Sequence, residues 1–185
     1  PDTDPGPVAV TDTTEVVELR GGDRPASRTG YRISVRNVQK KVVESTTRWV
    51  SPVARVRVTS CFGPRWGRQH EGIDLDGETG DTIRSVGAGV VVQAGWRYSG
   101  LGNSVIVDHG KWLTIYAHAS RVLVKVNQQV RAGAKIALIG ATGNVTGTHL
   151  HLALSNGATL SRALSTLVNP APWLRARGVR LGTCT

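Results

Sequence analysis

A chain of 185 residues with 39% apolar side chains and 22 glycines can bury one hydrophobic core, which excludes a disordered or fibrous polymer. No run approaches the roughly 18 consecutive apolar residues of a membrane-spanning helix, so no membrane span is expected. The net charge of +10 favours an anionic partner, but the arginines are dispersed and no DNA-reading motif is present, so specific nucleic-acid binding is not expected.

The first residues, PDTDPGPVAVTD, carry three prolines and three aspartates without hydrophobic periodicity and read as a linker. No basic-then-apolar leader precedes them, so the chain is read as processed from a longer precursor. From Glu15 to Val50 short β-branched runs, EVVEL and YRISVRNV, are broken by Gly21, Gly22 and Pro25. Residues 1–52 are therefore expected to form an N-terminal linker and short-strand extension. From Val53 the segment VARVRVTS alternates apolar and polar side chains, the pattern of a half-buried strand. Further strands are expected at 88–95, 103–109, 112–118, 135–140 and 148–154, separated by Gly, Asn and Asp. The fold class read from this is all-β, with the main domain at 53–175 and a tail at 176–185. Helix is scarce: residues 160–167 are the one candidate, followed by a short turn at 172–177.

Cys61 and Cys184 are the two cysteines, with no C-x-x-C spacing. A disulfide between them would tie the start of the β-rich region to the tail and indicate an oxidising compartment. Two unpaired buried thiols are the alternative.

The five histidines are His70, His109, His118, His149 and His151, with Asp74 four residues after the first. Residues i and i+2 of a strand share a face, about 6.6 Å apart, so His149 and His151 face one site. The run His70-Glu71-Gly72-Ile73-Asp74 resembles a helical H-E-x-x-H zinc motif only superficially, because Gly72 and Ile73 disfavour helix and the last residue is Asp. Fully extended, His70 and Asp74 would stand about 13 Å apart, so the chain must bend, and Gly72 permits this. Two histidines and one carboxylate suit a catalytic zinc ion with an open position, which activates water for amide hydrolysis. Spacing leaves open which of His149 and His151 binds the metal, and His118 or His149 remains to move the proton or hold the oxyanion.

The stretches CFGPRWGRQHEGIDLDGETGDTIRSVGAGVV, NSVIVDHGKWLTIYAHAS and VRAGAKIALIGATGNVTGTHLHLAL resemble the lysostaphin and LytM type of zinc endopeptidase. The likeness covers about residues 57 to 155 and rests on H-x-x-x-D, Y-x-H and H-x-H in order. It implies a largely antiparallel β domain of the duplicated hybrid motif type, one Zn2+ held by His70, Asp74 and His151, His149 as general base, and His118 as its assistant. Arg65, Trp66 and Tyr116 are expected to line the substrate groove, and His109 to be structural. The implied substrate is the peptide of bacterial peptidoglycan, cut by a monomer that is secreted, periplasmic or bound to the cell wall. Relatives that have lost their ligands act as activators of other wall hydrolases, but all five expected positions are filled here. A lipoyl-type carrier is disfavoured because the matching hairpin turn carries no lysine.

Overall fold

Alternation of apolar and polar residues organises this chain into short strands joined by glycine turns. The computed structural model describes residues 48–65, 67–157 and 159–183. The expectations for residues 1–47, for Trp66 and for the Cys61–Cys184 pairing, through Cys184, lie outside the described residues. In chain order the strands are β1 (Val58–Ser60), β2 (Gly63–Arg65), β3 (Arg68–His70), β4 (Ile73–Asp76), β5 (Thr82–Arg84), β6 (Gly89–Tyr98) and β7 (Gly102–Asp108). They continue with β8 (Leu113–Ala117), β9 (Ala119–Val122), β10 (Gln129–Val130), β11 (Lys135–Ile139), β12 (His149–Ser155) and β13 (Leu167–Val168), before helix α1 (Pro170–Ala176).

The strands pair antiparallel throughout, in keeping with the expected fold class. A large sheet runs β1-β4-β12-β8-β7-β6-β10, with β13 also on β12; a second sheet runs β5-β11-β9, and β2 and β3 form a separate hairpin. The main core joins Ile73, Leu75, Val105, Val107, Tyr116, Leu150 and Leu152 of the large sheet to Ile83, Ile136 and Ile139 of the second. Their neighbours Ile106, Leu113, Ile115 and Ala153 form another cluster. Successive strand residues point to opposite faces, so β7, β8 and β12 are covered on both sides. Their near-continuous apolar runs follow from that double burial.

Two expected elements differ from those observed. The strand in VARVRVTS is confined to β1, because the Ser51 hydroxyl bonds both the N–H and the carbonyl of Val53 and takes that backbone out of any ladder. The helix expected at 160–167 is a single 3-10 turn over Leu160–Arg162, and Leu167 and Val168 pair with β12 instead. The helix lies where a turn was expected. Asn169 caps α1 by accepting from the Ala171 N–H, Pro170 occupies a first-turn position that needs no donor, and Trp173 and Leu174 are buried.

Candidate metal centre

Three strands and a hairpin deliver the site. Ladder register sets His151 of β12 opposite Asp74 of β4 on one side and Ala117 of β8 on the other. Cross-strand partners share a face, so the Asp74 carboxylate and the His151 ring meet. Leu150 and Leu152 point into the main core, which leaves His149 and His151 on the other face. His70 ends β3, and the chain turns through Glu71 and Gly72 before β4 begins. A Cβ on Gly72 would lie 2.5 Å from His151 Cε1, so this glycine makes room for the ring as well as permitting the bend.

The convergence point is one carboxylate oxygen. Asp74 Oδ1 lies 2.9 Å from His151 Nδ1, 3.1 Å from His70 Nε2 and 3.4 Å from His149 Nε2. His70 Nε2 and His151 Nδ1 are 3.2 Å apart. Ligands about 2.0–2.1 Å from a tetrahedral ion stand roughly 3.4 Å from one another, so His70, Asp74 and His151 are arranged as three corners around a zinc-sized ion. Of the H-x-H pair, His151 stands nearer to Asp74.

Backbone carbonyls set the tautomers. Nδ1–H donates to Cys61 O from His70 at 2.7 Å, to Thr142 O from His118 at 2.8 Å and to Gly147 O from His149 at 2.9 Å. In a neutral imidazole this leaves each Nε2 with a lone pair. His70 then points a lone pair at a carboxylate oxygen, and only a cation between them, a proton or a metal ion, relieves the repulsion.

Burial would raise the Asp74 pKa, but His149, His151 and His70, which bond the carboxylate when protonated at the nitrogen that faces it, outweigh it and hold the carboxyl well below the usual range. Burial likewise pulls His149 down, yet Asp74 overcomes this and raises it. Burial, helped by His151 and His149, lowers His118 to about 4. Its ring packs 5.0 Å from that of His149 and 5.7 Å from that of His151. His118 has φ 63°, an unusual backbone for a residue with a Cβ, at the point where the chain leaves the large sheet and enters β9. This turn aims the ring at the site.

A groove of about 440 Å³ contains His70, Asp74, His118, His149, His151 and Arg65. Arg65 lines this cavity and also touches Asp74, with Nη2 3.4 Å from Oδ2. Tyr116 does not line the groove, a correction to the sequence reading. It pairs with Leu152 on β12 and points with it into the core, fully buried, where its hydroxyl accepts from the Val86 N–H at 2.8 Å. His109 is half-buried away from this cluster, bonded to Ala88 O and Thr114 Oγ1. Thr142 had no part in the sequence reading: besides holding His118, its hydroxyl donates to Ala119 O and accepts from the Asn103 N–H.

An antiparallel β domain thus carries, in one groove, a His/Asp/His cluster that could hold a metal ion, with two more histidines beside it. The chain belongs to Peptidase family M23, which residues 68–162 match, and so to the LytM-type peptidoglycan hydrolases. It is 37% identical over 134 residues to the murein hydrolase activator NlpD of Escherichia coli (strain K12), which covers 72% of this chain and 32% of that protein. It is 39% identical over 106 residues to the peptidoglycan DD-endopeptidase ShyA of Vibrio cholerae, covering 53% and 24%. The catalytic domain of the antimicrobial peptidase lysostaphin from Staphylococcus simulans superposes with a TM-score of 0.59 at 31% identity, covering 65% of this chain and 92% of that one. The chain thus spans about a third and about a quarter of the length of these two curated relatives. No helix among the described residues is long and apolar enough to cross a membrane.

Proposed function

We propose that this chain is a zinc-dependent endopeptidase that hydrolyses peptide bonds of bacterial peptidoglycan, acting as a monomer in the periplasm, at the cell wall or as a secreted protein. Residues 53–175 form its peptidase domain, and His70, Asp74 and His151 hold one Zn2+. The observation that carries this reading is the His70 Nε2 lone pair, fixed by the bond to Cys61 O and aimed at Asp74 Oδ1. Bound there, zinc lowers the pKa of water and polarises the amide carbonyl.

The chain's own groups supply the proton transfers. His149 Nε2 takes the proton from the attacking water and returns it to the leaving amine, with Nδ1–H anchored on Gly147 O so that the ring keeps its orientation. His118, anchored on Thr142 O beside His149, assists at the same proton and the developing oxyanion. Asp74 stays ionised throughout, because the histidines around it hold its carboxyl well below the usual carboxylate range. A disulfide between Cys61 and Cys184 belongs to this proposal, and thiol titration with and without reductant tests it.

The similarity to an activator favours a second reading, in which the groove binds wall or partner without cutting. Zinc content, together with release of new amines from purified peptidoglycan, separates the two. The peptidase reading expects about one zinc per chain and new amines; a chain that takes up no zinc and releases none is an activator. His149→Ala is expected to abolish cleavage with zinc retained, whereas His151→Ala loses the metal. Zinc loss in the His149 variant would reverse the two roles.

A further inference from the structure

The Asp74 carboxylate is used asymmetrically. All three nearby histidines reach Oδ1, while Oδ2 is held by Arg65 Nη2 at 3.4 Å. Arg65 is tethered in turn, since its Nη1 donates to Ser60 Oγ. Ser60 is the β1 residue that pairs with Asp74 across the ladder, and its hydroxyl lies 3.5 Å from His70 Nδ1. The hairpin that carries Arg65 on β2 also carries His70 on β3, with Gly63 opposite His70 and Arg65 opposite Arg68. One guanidinium thus spans Ser60 and Asp74, and the short hairpin fixes it relative to His70.

Building on the metal site proposed above, we infer that Arg65 is a positioning residue that makes Asp74 a one-oxygen donor. A carboxylate can bind an ion through one oxygen or both, and binding through both would occupy the position that water needs. Arg65 engages Oδ2 and leaves Oδ1 for the ion. It also supplies a counter-charge to an aspartate whose side chain is only 8% exposed, where an unmatched oxygen is costly. The task suits arginine over lysine, because two acceptors on different strands need the planar fork of donors that a single ammonium lacks.

The test is the coordination spectrum and zinc affinity of Arg65→Ala and Arg65→Gln beside the unaltered chain, each loaded with cobalt(II) or titrated with zinc against a chromophoric chelator. The expected result is weaker visible cobalt absorption, as coordination rises above four, and zinc affinity lower by on the order of 10–100-fold. Millimolar guanidinium ion should restore both in the alanine variant. The catalytic loss should fall on kcat with KM little changed. A wild-type cobalt spectrum and wild-type zinc affinity in a folded variant would overturn the inference; if the alanine variant does not fold, the glutamine variant decides by the same readings. An unaltered chain that binds neither metal sinks the metal-site reading itself, an outcome distinct from unchanged spectra in the variants.

Discussion

At Gly72 a missing side chain gives His151 its place. An added Cβ would come within 2.5 Å of His151 Cε1 and 2.7 Å of the Leu152 carbonyl oxygen, distances that real contacts do not sustain. Gly72→Ala is therefore expected to displace the His151 ring and lower zinc affinity by at least tenfold, the scale of a lost supporting contact. Chelator competition reads this directly, and an alanine variant with undiminished affinity would show that the strand can shift to absorb the methyl group. Sequence spacing pointed to Gly72 as a bend and to the His-x-His pair as one face, because those consequences follow from backbone geometry. The contacts that set the tautomers could not be read that way: Cys61, Thr142 and Gly147 serve through their carbonyls, which every residue type carries.

Elements were legible where burial imposes a period. The expected strands at 103–109, 112–118, 135–140 and 148–154 fall within one residue of β7, β8, β11 and β12, whose apolar residues are packed into the core, on both faces for β7, β8 and β12. The helix was misplaced because Leu160–Leu167 has the composition of a helix but no side chain to cap it, whereas Asn169 and Pro170 start one only nine residues later. The loop between β11 and β12 had no periodicity to betray its function. It holds His118 through Thr142, whose hydroxyl closes two further bonds, to Ala119 and Asn103. Thr142→Val keeps the shape and leaves both backbone groups unpaired, so it should cost about 1–3 kcal/mol of stability. The same variant should leave zinc bound and the His118 ring in place, because the bond that holds His118 comes from the Thr142 carbonyl, which valine keeps. Denaturant melts and zinc content check the two halves of this expectation separately.

Across the whole molecule, burial on both faces of the large sheet places polar groups where they must pair among themselves. His109 shows the consequence. Its Nδ1–H donates to Ala88 O and its Nε2 faces Thr114 Oγ1, which continues to the Tyr116 hydroxyl and the Val86 N–H. Trp49 packs edge-on against its ring at 5.1 Å, and Trp173 of α1 lies 6.4 Å away. Burial, aided by the Arg177 charge, lowers the His109 pKa, and neither the Ala88 bond nor Asp108 offsets this. The folded value is thus below the unfolded value of about 6.5, so near and below that pH the unfolded chain binds a proton that the folded chain refuses. The stability contribution is complete above the unfolded pKa and is lost as pH falls through the window down to the folded one. Equilibrium unfolding of the zinc-loaded protein from about pH 8 to about pH 5 should show this decline, with the site histidines held by metal. His109→Gln keeps a donor and an acceptor without a titrating ring, so its stability should fall less steeply over the same range. Parallel curves for the two proteins would mean that His109 charges without disturbing the fold and that the acid sensitivity arises elsewhere.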